Sequence, residues 1–375
     1  MAKKSTFPLL NFSHILMGAR FDIWLRLLFE NGFHVSFRSI PQSLLISLVS
    51  LLLFPLALLE RLILWLPLRR ERVENPIFIL GHWRSGTTYL HNLLSRDPQL
   101  GYFDPVSTVV CHNSFLLRPI LRLIVLQLIR DARPMDNMEY KMDLPMEEML
   151  AVNASSTVSI AHMLCFAERY PHYVKQVFVD ELPEKRRQNW GRVYCYLLKK
   201  QSFLCRGKEL VLKSPDSTCH AGELFRLFPD GKFINIYRNP YKVIPSTVNM
   251  FNKLFSFQSL QDAPDERIVE ETVLQLFKRT YEKLFEDMKM IPSGQIVEVR
   301  YEDFVKDPLS HLQNIYQALN LPGFADAKAT FQDYVDSQAG YQKNKFDLRP
   351  ELLEKINREL GFYFEHYGYE MMQEV

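Results

Sequence analysis

The chain has 375 residues, 47% of them apolar and 23% charged, with a formal net charge of +2. That balance describes a folded globular protein, long enough for one large domain plus an appendage, and gives no global case for nucleic-acid binding. Five cysteines (111, 165, 195, 205 and 219) are odd in number and lack metal-ligand spacing, which argues against a disulfide framework and favours a reducing compartment.

Residues 1–75 differ from the rest. Leu44 to Leu59 is an uncharged run of 16 residues containing Pro55; after Glu60-Arg61 a second apolar piece, Leu62 to Leu66, leads into Arg69, Arg70 and Arg72. A simple spanning helix needs about 20 apolar residues, so this run is slightly short. It carries a proline near its end, has basic residues on both sides, and starts too late for a signal peptide. Upstream Lys3, Lys4, Arg20, Arg26 and Arg38 give no orientation by the positive-inside rule. The reading is a monotopic or re-entrant membrane anchor; the alternatives are a single spanning helix and a helix buried in the protein's own core.

From residue 76 onward, apolar strands alternate with helical periodicity. Pro76-Ile77-Phe78-Ile79-Leu80 reads as a strand, Gly81-His82-Trp83-Arg84-Ser85-Gly86 as a tight loop, and Thr87-Thr88-Tyr89-Leu90-His91-Asn92-Leu93-Leu94 as the start of a helix. Unpaired N–H groups and the positive dipole end make such a helix start a seat for an oxyanion. Two glycines let the backbone approach the ligand, and Thr87 and Thr88 add hydroxyl donors. The outline is that of a Walker A loop, but Thr87 stands where its lysine belongs, and the cation is Arg84 within the loop. That is poor for Mg–ATP chemistry.

Phe115 to Arg133 is a second apolar-basic helix, with Arg118 and Arg122 one turn apart. It suits a core-facing helix with a basic edge, an acceptor-site lid or an anionic membrane surface. The pair Glu147-Glu148 follows Asp143-Leu144-Pro145. Glu209 to Leu212 is a short strand running into Lys213; a second spans 232–237 and ends at Arg238, with Ser246 eight positions later on the next helix. A third, at 295–299, runs into Arg300-Tyr301-Glu302-Asp303, and a late basic turn holds Lys343 and Lys345. Strands alternating with helices imply an α/β fold whose ligand loops lie at the carboxyl ends of parallel strands.

Gly81 to Thr88 resembles the 5′-phosphosulfate loop of sulfotransferases that use 3′-phosphoadenosine 5′-phosphosulfate (PAPS), nearer the protein-tyrosine and broad bacterial branches than the cytosolic small-molecule branch. The resemblance covers roughly residues 76–370 and implies a P-loop-type three-layer fold over residues 76–375 with a central parallel sheet. It further implies PAPS as co-substrate, adenosine 3′,5′-bisphosphate as product and no metal. By the same resemblance Gly81, Arg84, Ser85, Gly86, Thr87 and Thr88 cradle the phosphosulfate, Arg238 and Ser246 hold the 3′-phosphate, Tyr301 lies near the nucleotide, and Lys343 and Lys345 belong to the loop that closes over it. Lys213 matches the lysine that acts on the transferring group, with Arg84 expected to share that work.

The general base stays open. The family glutamate aligns on Pro105, next to Asp104; Asp104 and Glu147 are equal candidates, with His112 behind them. His82 and His91 read as structural. The expected reaction is sulfuryl transfer to a hydroxyl, less readily an amine, of a small-molecule, lipid or glycan acceptor. Two other classes stay in view, a P-loop kinase or NTPase and a nucleotide-binding module without chemistry. The expected location is a membrane surface with the catalytic region in the cytoplasm, the alternative being a single-pass protein with a lumenal domain, where Asn153-Ala154-Ser155 would be a sequon.

Overall fold

In the computed structural model of the chain, residues 10–128, 144–338 and 348–374 are described. Five strands form the centre: β1 (Ile77–Leu80), β2 (Leu100–Gly101), β3 (Glu209–Lys213), β4 (Lys232–Tyr237) and β5 (Ile296–Arg300). Their order is β2-β3-β1-β4-β5 and every pairing is parallel. The four expected strands are present. β2 went unseen because two residues carry no period.

Side-chain alternation explains the layers. On β1, Phe78 and Leu80 point into one hydrophobic cluster, which also takes the Pro240–Gln258, Glu266–Met288 and Gly361–Tyr367 helices. Ile77 and Ile79 point into another, shared with Leu90, Leu93 and Leu94 of the loop's own helix and with Leu312, Ile315 and Phe331. A strand buried on both faces reads as an unbroken apolar run, and β1 is one. Helix–sheet–helix is the three-layer α/β architecture expected from the sequence. Consecutive strands β3 and β4 flank β1 on opposite sides, so a crevice opens at the carboxyl end of β1, where open α/β sheets bind ligands.

The N-terminal part packs against this body rather than trailing from it. One helix, Ile40–Arg70, runs 31 residues through Pro55 and Pro67. It passes beyond Leu59 because Glu60 points inward, fully buried, and is neutralised by Lys200 on the Glu184–Leu204 helix. A charge that looks like a break in the sequence is therefore an internal contact. Trp24 of the Phe21–Glu30 helix donates its indole N–H to Ser47 at 2.8 Å, and Leu16, Trp24 and Ile46 belong to the same core cluster as β1.

Candidate active site

The loop between β1 and the Thr87–Leu94 helix is built on three left-handed residues: Gly81 (φ 139°), Arg84 (φ 71°) and Gly86 (φ 98°). A Cβ on Gly81 would fall 2.4 Å from the Ile236 carbonyl oxygen, and one on Gly86 2.3 Å from the Tyr301 ring. Both glycines are therefore fixed by space as well as by dihedral. Arginine in the left-handed region is strained, a condition that persists where surrounding contacts hold it. The Gly81 N–H donates to Thr218 Oγ1 at 2.8 Å and the His82 N–H to the Tyr281 hydroxyl at 3.5 Å. Among the described residues no side chain caps the helix that follows Gly86, so its first turn opens on the crevice, and Ser85 Oγ is buried beside the Tyr281 hydroxyl. Such a cradle fits an anion.

Two sets of charged groups border it. On the β4 side, Arg84 Nε donates to Ser246 Oγ at 2.9 Å, while Arg238 Nη1 donates to the Arg84 carbonyl at 3.0 Å. Arg238 also stacks over the Tyr301 ring, 4.2 Å from its centre, and its own carbonyl accepts the Tyr363 hydroxyl at 2.9 Å. Arg84, Arg238, Ser246 and Tyr301 are thus one cluster, and Arg84 leans toward Ser246. On the β3 side, Lys213 is almost wholly buried; its Nζ pairs with Glu147 and reaches Thr88 Oγ1 at 3.4 Å. This lysine joins the loop's helix to a carboxylate that retains partial solvent access.

Glu148 shows how Glu147 is held. Buried, it accepts the Lys213 backbone N–H at 3.1 Å and the Tyr194 hydroxyl at 3.2 Å, while Ser214 Oγ accepts the Met149 N–H at 3.0 Å. The Met146 N–H meets the Phe103 carbonyl at 2.7 Å. The 144–149 segment is therefore clamped to the end of β3. Burial pushes the Glu148 carboxyl up, and burial followed by the charges of Glu148 and Glu147 carries Asp216 to about 8.

The other base candidates have separate engagements. Asp104 caps the Pro105–Val109 helix, accepting the Ser107 N–H at 2.8 Å, and pairs with Arg118. His112 is held by the Ala154 carbonyl and Ser155 Oγ, both at 3.1 Å; burial and then Arg20 lower it to about 3, and among the described residues it shares no hydrogen-bond partner with Lys213. His82 and His91 are buried against the Trp83 and Val211 carbonyls, and burial lowers both. Lys343 and Lys345 lie outside the described residues, as do positions 129–133 of the second apolar-basic segment, whose described helix is Arg118–Leu128. Asn153 is fully buried with its amide donating to the Ile15 carbonyl, so this fold leaves no room for a glycan there.

Thr218, Tyr281 and Asp216 border the site without having been picked out from the sequence. Thr218 and Asp216 follow the end of β3 at Lys213, a strand end that feeds the crevice of a parallel sheet, whereas Tyr281 comes from the Glu266–Met288 helix and carries no local signal. Gly86→Ala is expected to cost about 1–3 kcal/mol, the scale of a strained backbone residue, because its methyl must displace the Tyr301 ring on which Arg238 rests. Chemical denaturation checks this, and an unchanged midpoint would contradict it.

A profile of the Sulfotransferase family matches residues 76–326. Over 355 residues, 94% of this chain and 91% of theirs, the chain is 28% identical to the omega-hydroxy-beta-dihydromenaquinone-9 sulfotransferases Stf3 of Mycobacterium bovis and of Mycobacterium tuberculosis. Sulfotransferase STF1 of Mycobacterium tuberculosis superposes with a TM-score of 0.68 at 17% identity, covering 91% of this chain and 92% of its own. Sulfotransferase STF9 of Mycobacterium avium does so at 0.64 and 18%, covering 94% and 98%, and both likenesses speak to the fold. The profile begins at the strand that feeds the Gly81–Gly86 loop and runs past Tyr301, taking in Lys213, Arg238 and Ser246: the chain belongs to the sulfotransferase family and is a sulfotransferase.

Proposed function

We propose that the protein transfers a sulfuryl group from PAPS to the hydroxyl of a membrane-borne amphiphile. The observation that carries this is the Lys213 contact pair, with Thr88 of the anion loop on one side and Glu147 on the other. The loop amides, Ser85 and Thr87 would hold the 5′-phosphosulfate, and Arg238, Ser246 and Arg84 the 3′-phosphate. Arg84 is assigned to that end because its side chain is engaged with Ser246. Guanidinium groups suit a phosphate dianion through charge-assisted, bidentate hydrogen bonds.

PAPS, when bound, supplies an activated sulfuryl group whose bond to the bridging phosphate oxygen breaks as the acceptor oxygen bonds to sulfur, the electron pair leaving with the phosphate. Lys213 would hold the charge that builds on that bridging oxygen, and fixed cations and positioning carry most of the work in a loose transition state. Glu147 would take the hydroxyl proton. The two are coupled, since a lysine drawn toward the leaving oxygen frees its carboxylate partner for the acceptor. Glu148 and Ser214 act as positioning residues for that carboxylate.

Support for a lipid acceptor comes from the substrate for which the mycobacterial relatives are named and from the apolar Ile40–Arg70 helix. Five unpaired cysteines favour a catalytic region facing the reducing cytoplasm. The test supplies radiolabelled PAPS and ω-hydroxy-β-dihydromenaquinone-9 in detergent to the full chain. Label should enter the lipid as a sulfate ester, and Arg238→Ala should raise KM for PAPS by about 10- to 100-fold, the worth of hydrogen bonds to a charged group, with kcat changed only a few-fold. Transfer to soluble phenols alone would rule out the lipid acceptor.

A further inference from the structure

The Ile40–Arg70 helix keeps its buried polar residues on the inner face, beside Ile46, Ala57, Leu64 and Leu68, and is apolar on its outer face. Its buried stripe, Gln42, Ile46, Ser50, Ala57, Glu60 and Leu64, includes three polar residues that face the protein. Gln42 accepts the Asn11 N–H at 2.6 Å; Glu60 pairs with Lys200 and accepts the Phe115 and Leu116 N–H groups at 3.0 and 2.8 Å. The opposite face shows Leu44, Leu48, Leu52, Leu59, Leu62 and Leu66, each between 46% and 72% exposed. A helix whose outer face meets water carries polar residues there, and an apolar patch of this extent marks a surface meant for a partner.

We infer that this outer face lies in the plane of an anionic bilayer, as a monotopic platform that does not span. Its two ends carry the residues that prefer an interface. Phe33 and Phe37 are exposed beside Arg38 at one end. At the other, Trp65 is exposed with the Arg69 guanidinium 4.8 Å from its ring centre, followed by exposed Arg70 and Arg72. Aromatic rings and arginines belong at the headgroup level, where arginine meets anionic lipid. Arg61, at the border of the apolar face, lies over the Tyr196 ring of the protein body at 5.6 Å. Arginines at both ends also disfavour a second copy as occupant, because parallel and antiparallel pairing alike set arginine against arginine.

Spanning is opposed by the inner face. Buried positions run from Gln42 to Leu68, about 39 Å at 1.5 Å per residue, longer than the roughly 30 Å hydrocarbon core. Crossing the bilayer would take the docked Glu184–Leu204 helix along, with Lys185, Arg186, Arg187 and Arg192. Charges at that depth are too costly. The segment hydrogen-bonded to Glu60 continues into the Arg118–Leu128 helix, where Ile120 and Leu123 are 59% and 65% exposed. Arg118 pairs with Asp104, whose neighbour Phe103 holds Met146 next to Glu147. The bilayer-facing surface is thus tied to the site by consecutive contacts, and a hydroxylated lipid would be offered to Glu147 from the membrane plane. Only this delivery step rests on the proposed acceptor; the docking stands on the helix.

The test uses the full chain with vesicles of phosphatidylglycerol and phosphatidylcholine. Wild type should co-sediment, and Leu48→Glu with Leu52→Glu should lower the bound fraction about ten-fold or more while adenosine 3′,5′-bisphosphate affinity is unchanged, burial of two leucines being at stake. Vesicle binding that is absent in wild type or unaltered in the variant overturns the inference. Single cysteines at the helix ends, Arg38→Cys or Arg70→Cys on a Cys195→Ser/Cys205→Ser background, carry the test if the glutamate variant does not fold. On sealed vesicles an impermeant maleimide should label both ends equally; labelling of one end alone means a spanning helix and overturns the inference. Failure of wild type to bind the bisphosphate would instead count against the PAPS reading and leave the docking result standing.

Discussion

Lys213→Ala is expected to lower kcat by about a hundred- to a thousand-fold, the usual loss when a fixed group that stabilises transition-state charge is removed. Affinity for adenosine 3′,5′-bisphosphate should change far less, because in the proposed site the loop amides, Arg238 and Ser246 would hold the product's phosphates. Burial sets the size of the effect. The Lys213 side chain is 2% exposed, so its charge acts in a site with little water to screen it. Lys213→Arg should not restore the rate, since a planar fork cannot take the place of a compact ammonium between Thr88 and Glu147. Single-turnover rates with preloaded donor measure this, and a Lys213→Ala enzyme with wild-type turnover would remove the residue from the mechanism.

Glu147→Gln carries the second large effect. The substitution keeps the shape and removes the proton acceptor, for which the expected fall in kcat is about a hundred- to ten-thousand-fold. KM for PAPS should move little, because on the proposed reading Glu147 serves the acceptor and not the donor. Asp104→Asn is the matched control. Asparagine still caps the Pro105–Val109 helix, and loss of the partly exposed pair with Arg118 is worth at most about 1 kcal/mol. Its kcat should stay within a few-fold of wild type. The opposite pattern, a large loss with Asp104→Asn and little with Glu147→Gln, would transfer the base to Asp104.

Much of this architecture was legible in the residues. β1, β3, β4 and β5 each announce themselves by a run of β-branched, leucine or aromatic residues ending at a glycine, lysine or arginine. Gly81 and Gly86 mark a loop that only glycine can form. Periodicity says which residues form an element but not which elements meet. Asp104 and Glu147 look alike in the sequence; the first is drawn to a helix N-terminus by its neighbour Ser107 and to Arg118 by charge, and the second is delivered to Lys213 by Glu148. Glu60 misled for the same reason, because its partner Lys200 lies 140 positions away. The alliance of Arg84 with Ser246 is likewise a long-range contact, across 162 positions, that no local pattern records. β2 escaped because its pairing with β3, not its own residues, makes it a strand.

The proposed function depends on the crevice at the end of β1 holding a 3′-phosphoadenosine nucleotide. Calorimetric titration of adenosine 3′,5′-bisphosphate, beside Mg–ATP, into the detergent-solubilised full chain tests it most directly. Tight binding of the bisphosphate alone, weakened by Arg238→Ala, is the predicted result; preference for Mg–ATP would contradict the account.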